Sequence, residues 1–192
     1  MRLFVGIPLA DAVVRELALV VARLRSHESG MRGGGGPRGE GGLRWTAPES
    51  WHITLQFLGN TSEEQFRCLA TRLREVRSEP VPVRLGELGC FERAGVFFAG
   101  MAMSPELNAL QQCVLAATSQ CGFQAETLPF HPHITLARAK GNGRRAGLRE
   151  LLNKVHNDPA FSPFTACEFL LYESHLGAGG ALYEVRAQFE LQ

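Results

Sequence analysis

The tetrapeptide His-Ile-Thr-Leu occurs twice in this sequence, beginning once at His52 and once at His133. Successive side chains of a β-strand point to opposite faces, so the histidine and the threonine of each copy are predicted to share one face. The isoleucine and the leucine would then point into a hydrophobic core. Each copy therefore presents an imidazole beside a hydroxyl, His52 with Thr54 and His133 with Thr135.

These two imidazole–hydroxyl pairs suit acid–base chemistry on a phosphate ester. Histidine has an ordinary pKa of about 6.5, so near neutral pH it can act as a base or as an acid. One neutral and one protonated imidazole can take a proton from water and give a proton to a leaving alkoxide. The hydroxyls of Thr54 and Thr135 can donate hydrogen bonds to the non-bridging oxygens of a phosphate between them. A lone strand histidine is usually structural, but repetition of the whole motif favours catalysis.

Zinc binding is the alternative use of histidines in this pattern. His131 would share the face of His133 if the strand began early, but Pro132 favours a turn there, and His131 is interpreted as structural or supporting. A site made from His52, His131 and His133 would still need another ligand. No suitable carboxylate or cysteine lies nearby in the sequence, so we predict neither a metal nor another cofactor.

The spacing of apolar residues predicts the elements that must position the two motifs. Predicted strands cover Arg2–Ile7, Leu43–Thr46, Trp51–Leu58, Val81–Leu88, Val96–Met103, His133–Ala139, Phe164–Ser174 and Ala181–Leu191. Predicted helices cover Leu9–Ser26, Thr61 to about Ser78, Pro105 to about Cys121, and about Arg144–Asn157. The second helix is expected to begin with a capping box of Thr61 and Glu64, and the third with Ser104 as its N-cap.

The order of these elements repeats along the chain. In each half, a strand leads into a helix, a loop, the His-Ile-Thr-Leu strand, a Gly-Asn turn, a helix and a further strand. We predict one domain over residues 1–192, with repeats at about 1–90 and 95–192, a pattern compatible with exchange of terminal strands between the repeats. The predicted fold class is α+β, a duplicated two-lobe fold with antiparallel sheets lining a central cleft and helices outside.

Net charge gives no reason to expect general attraction to polyanions, because the whole chain carries only +1. A local cluster does carry +5, since six basic residues are accompanied by Glu150 alone. This cluster is interpreted either as a solvated helix face or as a contact surface for RNA phosphates. Its basic residues are Arg138, Lys140, Arg144, Arg145, Arg149 and Lys154.

Further substrate contacts are predicted close to the motifs. Arg44 precedes the first motif on a neighbouring strand and could reach the cleft. Trp45, Phe57 and Phe130 could stack on bases or belong to the core. Arg138 lies five residues after His133, an odd offset that would turn it away from His133 in a regular strand.

The cysteines and the glycine-rich segment are expected to have no part in the chemistry. The five cysteines show no metal or redox spacing and are interpreted as small buried side chains in a reducing, cytoplasmic setting. The segment 30–42 contains eight glycines and is expected to be a loop. Charged residues interrupt the apolar stretch 12–24, so no membrane span is expected.

The motif pair resembles the 2H phosphoesterase superfamily, which is named for two HxT/S motifs. Within it, the chain is similar to the RNA 2′,3′-cyclic phosphodiesterases, also called 2′-5′ RNA ligases. The resemblance spans nearly the whole chain. This chain departs from the family in a longer loop at 30–42 and in a shorter stretch CFERAGVFFAG. The segments that carry the resemblance are RLFVGIPL, LRWTAPESWHITLQFLG, PFHPHITLAR, LYESHL and YEVRAQFEL.

The resemblance implies opening of an RNA 2′,3′-cyclic phosphate to a 2′-phosphomonoester, with His52 as proton donor and His133 as proton acceptor. It also implies RNA ends as substrates, tRNA fragments among them, and 2′-5′ ligation as a reverse-type side activity. We expect a monomer. A phosphodiesterase for small cyclic nucleotides and a non-catalytic RNA- or nucleotide-binding module are the alternatives. The complete histidine and threonine pairs argue against the second, because binding alone needs no titratable imidazoles.

Overall fold

The computed structural model describes residues 1–30, 43–139, 145–153, 160–177 and 180–192. Within these ranges the strands are β1 (Arg2–Pro8), β2 (Leu43–Trp45), β3 (His52–Asn60), β4 (Val81–Val83), β5 (Leu85–Phe91), β6 (Val96–Met101), β7 (His133–Ala139), β8 (Phe164–Ala166), β9 (Glu168–Gly177) and β10 (Gly180–Glu190). The helices are α1 (Asp11–Gly30), α2 (Glu63–Arg72), α3 (Pro105–Ser119) and α4 (Arg145–Asn153), with 3-10 turns at Pro48–Ser50 and Leu73–Glu75.

Two four-stranded sheets form the frame of the molecule. The first sheet has the strand order β10-β9-β1-β3 and the second has the order β2-β7-β6-β5, while β4 and β8 pair separately. All these pairings are antiparallel. Each large sheet contains one His-Ile-Thr-Leu strand and takes strands from both halves of the chain. The predicted α+β fold with two lobes and antiparallel sheets is confirmed.

Apolar side chains at helical and strand spacing form the core between sheets and helices. Along α1, the buried residues recur every three or four positions, which places one face of the helix against the core. They are Val13, Leu17, Val21 and Leu24. Among the described residues, no helix combines the length and the apolar character needed to cross a bilayer.

The start of α2 differs from its prediction. Ser62 is the N-cap: its hydroxyl accepts from the backbone N–H of Gln65, and the Gln65 side chain accepts from the Ser62 N–H. The predicted box of Thr61 and Glu64 was wrong by one residue. The Thr61 hydroxyl instead donates to the Gly59 carbonyl, because the chain is still leaving the strand at that point.

Two predicted strands are each divided in two, and two predicted segments fall partly outside the described ranges. The apolar run at 81–88 forms β4 and β5, and the run at 164–174 forms β8 and β9, because β4 and β8 leave the large sheets to pair with each other. The predicted glycine-rich loop lies outside the described residues from position 31 onwards. The end of the predicted fourth helix, from residue 154, also lies outside them.

Cys68 and Cys121 form a disulfide between α2 and the end of α3. The predicted reducing setting did not anticipate this disulfide. The two residues are 53 positions apart, and only the packing of α2 against α3 brings their Cα atoms to 5.7 Å. No local spacing rule could have found this pair. The remaining cysteines, Cys90, Cys113 and Cys167, are free.

Candidate active site

Burial along β3 and β7 follows the predicted alternation. The isoleucine and leucine of each motif are buried in the core, whereas the histidine and threonine are only partly buried. β3 and β7 run close enough for some of their Cα atoms to lie within 8 Å of one another. The hydroxyls of Thr54 and Thr135 have no hydrogen-bond partner among the described residues. The arrangement therefore brings two imidazole–hydroxyl pairs together, with both hydroxyls available to a ligand.

A β-bulge interrupts each motif strand at the same place. The register between β1 and β3 skips Leu55, and the register between β6 and β7 skips Leu136. An extra residue at a bulge reverses the alternation beyond it. In β3, Leu55 and Gln56 are both buried and Phe57 is 54% exposed. The two strands therefore share a deviation from regular geometry as well as a sequence motif.

The bulge in β7 corrects the predicted orientation of Arg138. A regular strand would turn this residue away from His133, but Leu136 and Ala137 are both fully buried and Arg138 is exposed on the cleft side. Its positive charge lowers the pKa of both His52 and His133. The expectation that Arg138 faces away from His133 was wrong because it assumed regular geometry.

Each histidine is oriented by the backbone carbonyl two residues before it. Nδ1 of His52 lies 2.8 Å from the Ser50 carbonyl oxygen, and Nδ1 of His133 lies 2.7 Å from the His131 carbonyl oxygen. Carbonyl oxygens only accept, so Nδ1 must carry a proton in both rings. The lone pair of each neutral imidazole is thus on Nε2, which has no protein partner among the described residues. Both histidines hold the tautomer that a proton-transfer group needs.

Aromatic rings surround His52. Its ring centroid lies 4.5 Å from that of Phe4, 5.7 Å from that of Tyr172 and 5.0 Å from that of Tyr183, which is perpendicular to it. Burial among these groups lowers the pKa of His52 to about 4, with smaller contributions from the charges of His133 and Arg138. The hydrogen bond to the Ser50 carbonyl acts in the opposite direction.

His133 has its own aromatic neighbours, which come from the second sheet. Phe91 and Phe98 stack on each other and approach His133 with centroid distances of 5.0 and 5.4 Å. The pKa of His133 is also lowered, first by burial and then by the charges of His131 and Arg138, although the His131 carbonyl raises it. His131 therefore supports His133 through its backbone and contacts the same two phenylalanines.

A cavity of about 590 Å³ adjoins His52. Two of its walls, Phe4 and Tyr183, are the same rings that contact His52. The histidines and the motif threonines are not among the lining residues, so the cavity lies beside the two motifs rather than around them. Its basic and aromatic lining consists of Arg2, Arg44, Arg138, Phe4, Trp45, Phe57 and Tyr183.

The cavity contains some of the predicted contact residues and adds others. Arg44 pairs directly with Arg138 in the β2–β7 ladder, and both side chains are exposed toward the cavity. Of the aromatic residues for which stacking and core positions were both open, Phe57 lines the cavity, whereas Phe130 packs against the core. Trp45 lines the cavity and also packs edge-on against Phe97.

A model of the 2′-5′ RNA ligase superfamily matches residues 10–178. This chain belongs to that superfamily. An RNA 2′,3′-cyclic phosphodiesterase of Aeropyrum pernix is 33% identical over 76% of this chain and 86% of its own length. A protein with the same name from Archaeoglobus fulgidus is 26% identical over 99% of this chain and 100% of its own.

Solved structures of the superfamily share the fold. The crystal structure of E. coli LigT complexed with 3′-AMP superposes with a TM-score of 0.77 at 26% sequence identity. The match covers 99% of this chain and 97% of LigT. The two-lobe architecture is therefore that of the superfamily over the full length of the chain.

The basic cluster of this superfamily member is only partly available for phosphate binding. Arg149 makes a bidentate ion pair with Glu92, whose negative charge balances that of the guanidinium. Arg145 is the first residue of α4. Lys140, Arg144 and Lys154 lie outside the described residues. Arg138, at the edge of the cavity, is the described member of the cluster that lies at the motif strands.

One cluster of the described residues has metal-ligand chemistry, but it lies away from the motif pair. The ligand atoms of Glu173, His175 and Glu184 lie within 4.8 Å of one another. Glu173 is already paired with Arg186, and His175 with Glu184. Tyr172 contacts His52, so its strand neighbour Glu173 points to the opposite face of the sheet.

Proposed function

We propose that the protein hydrolyses RNA 2′,3′-cyclic phosphate ends to 2′-phosphomonoesters by metal-independent acid–base catalysis. The observation that carries this proposal is the pair of imidazoles that both hold Nδ1–H on a backbone carbonyl and leave Nε2 for proton transfer. Relatives named RNA 2′,3′-cyclic phosphodiesterase support the choice of substrate. Ligation of 2′-5′ ends would be the corresponding reaction in which a 5′-hydroxyl, in place of water, attacks the cyclic phosphate and the 3′ oxygen leaves.

His52 and His133 have opposite tasks in this proposal. The 3′ oxygen is a strongly basic leaving group, and His52 donates the proton that it needs. His133 accepts the proton of the attacking water on the opposite side of phosphorus. Thr54 and Thr135 donate hydrogen bonds to the non-bridging oxygens, where negative charge increases in the transition state.

The lowered pKa of His52 fits an acid that acquires its proton together with the substrate. In the empty site, a pKa of about 4 leaves His52 neutral at pH 7. An entering phosphodiester brings a negative charge next to the imidazole and raises this pKa by direct attraction. The donor is thus charged when an anion is present to pair with it.

The cavity beside His52 favours an RNA end over a small cyclic nucleotide. Its three arginines can pair with phosphates upstream of the cyclic one, and Phe57 offers an exposed ring on which a base can stack. A mononucleotide would leave most of these contacts unused. We propose tRNA fragments among the substrates, and a monomer as the active form.

Product analysis tests the proposal. A short RNA ending in a 2′,3′-cyclic phosphate is incubated with the enzyme in EDTA, beside a cyclic mononucleotide and a double variant lacking both histidines. We expect a 2′-phosphomonoester at an undiminished rate, a lower kcat/KM for the mononucleotide, and no turnover by the variant. A rate lost on chelation and restored by zinc or magnesium would overturn the mechanism, and a 3′-phosphomonoester would overturn the assigned bond cleavage.

A further inference from the structure

Thr46 lies where the chain crosses from one sheet to the other. It follows β2, which belongs to the second sheet, and six residues later β3 begins in the first sheet at His52. The short connector thus joins the strand next to one motif to the first residue of the other motif. Any group that bridges its two ends also connects the two histidine strands.

The Thr46 hydroxyl makes such a bridge. The buried indole N–H of Trp51, the residue before His52, donates to Thr46 Oγ1 at 3.0 Å. The same hydroxyl donates its single proton toward β7. There the Thr135 carbonyl oxygen lies 2.7 Å from Thr46 Oγ1 and the Leu136 carbonyl oxygen lies 2.8 Å from it, and the two share this proton. The Thr46 backbone N–H also donates to the Leu136 carbonyl at 2.9 Å.

This bridge reaches the second motif at its bulge. Leu136 is the residue that the β6–β7 register skips, so Thr46 stabilises the part of β7 that departs from regular pairing. The bulge in β3 is supported differently, because the Gln56 side chain accepts from the Thr118 hydroxyl at 2.7 Å. A valine side chain at position 46 would have the same shape as threonine but could neither accept from the Trp51 indole nor donate to the carbonyls of β7. The backbone N–H would still donate to Leu136.

We infer that Thr46 is a positioning residue that holds the Trp51–His52 end of the first motif against the Thr135–Leu136 bulge of the second. It has no proton-transfer role. Two imidazoles acting on opposite sides of one phosphorus depend on their separation, and a displacement of about 1 Å can reduce turnover roughly 100-fold. The inference rests on the proposed function, since it concerns the geometry of that acid–base pair.

The test compares Thr46→Val with Thr46→Ser on the short cyclic-phosphate RNA. We expect Thr46→Val to lower kcat about 10–100-fold with KM within about threefold of wild type, since ground-state contacts remain. Thr46→Ser keeps the hydroxyl and should recover kcat to within about threefold of wild type. Thr71→Val is the matched control, because the Thr71 hydroxyl only donates to Arg67 within α2.

A spectroscopic readout separates positioning from a general loss of stability. The chain has two tryptophans, so its ¹H–¹⁵N spectrum has two indole signals. The Trp51 indole proton should exchange with solvent faster in Thr46→Val and at the wild-type rate in Thr46→Ser. Wild-type kcat in Thr46→Val, or a Thr46→Ser enzyme as slow as Thr46→Val, would overturn the inference.

Two further variants keep the result unambiguous. If Thr46→Val does not fold, Trp51→Phe removes the indole donor, together with part of the buried ring, and should lower kcat about 3–10-fold at unchanged KM; an unchanged kcat would overturn the inference. His52→Ala and His133→Ala are assayed in parallel. If both retain near wild-type rates, the proposed function fails. If both are inactive while Thr46→Val is unaffected, only the role of Thr46 fails.

Discussion

His52 and His133 share their local structure and differ in their surroundings. Both begin a His-Ile-Thr-Leu strand, both donate from Nδ1 to the carbonyl two residues before, and both strands have a bulge at the leucine. Their ring neighbours, however, are unrelated. Phe4 and two tyrosines from β9 and β10 enclose His52, whereas Phe91 and Phe98 from β5 and β6 lie beside His133.

The comparison separates two levels of control. The tautomer is set by the backbone within two residues of each histidine, so the repeated motif produces it twice. The pKa depends on burial and on charges from distant strands, so the duplication need not reproduce it. The different roles that we propose for the two identical motifs therefore depend on their tertiary environment.

Removing each histidine should produce the largest effects. His52→Ala and His133→Ala should each lower kcat by about 10²–10⁴, with much less change in RNA affinity because the threonines and arginines remain. A substrate with sulfur in place of the 3′ oxygen has a better leaving group and should rescue His52→Ala alone. Rescue of His133→Ala instead would show that the roles are reversed.

Filling the space beside each histidine should have the next largest effect. A Cβ at Gly6 would lie 2.9 Å from the Ile53 carbonyl and 3.4 Å from His52 Cδ2, so β3 itself must move. A Cβ at Gly89 would meet the far edge of the Phe98 ring at 2.7 Å, and a ring can tilt. Gly6→Ala should lower kcat by roughly 10–100-fold and Gly89→Ala by less than about tenfold. Equal losses in steady-state kinetics would contradict this ranking.

The positions five residues after each histidine should respond differently to salt. Arg138→Ala should weaken RNA binding and reduce the slope of log affinity against log salt by about 1. Phe57→Ala should weaken binding roughly 5–100-fold by loss of stacking, with the slope unchanged. The double variant Arg149→Ala with Glu92→Ala is the matched control, because it removes an ion pair of zero net charge and neither quantity should change. Binding titrations at several salt concentrations measure all three variants.

The pH dependence of stability should show the smallest effect. The pKa of His52 is about 4 in the folded protein and about 6.5 when unfolded, so between these values the unfolded state binds more protons. The contribution of neutral His52 to the free energy of unfolding is thus complete above about pH 6.5 and is lost as the pH falls toward 4. Urea unfolding at pH 7 and at pH 5 measures how far the free energy of unfolding falls between these two values. This decrease should be about 2 kcal/mol smaller in His52→Gln than in wild type. An identical loss in both proteins would disprove the buried, neutral state of His52.

Local sequence patterns predicted the parts of the site that depend on local geometry. The alternation around His52 and His133 and the strand His133–Ala139 are confirmed. The orientation of Arg138 was wrong, because the bulge at Leu136 is visible only in the pairing of β7 with β6. Tyr172 and Tyr183 were missed for a related reason: only strand order brings them to a histidine more than a hundred residues earlier.

The strand order also determines when during synthesis the site becomes complete. β1 pairs Leu3 with Glu173, so the edge of β1 opposite β3 stays unpaired until the residues between these two positions have been made. At roughly 5–20 residues per second, this takes roughly 10–30 s on the ribosome. The rings beside His133 all precede residue 140, whereas Tyr172 and Tyr183 are made later. The imidazole that is translated first is therefore enclosed last, after β9 and β10 have joined β1 and β3 in the first sheet.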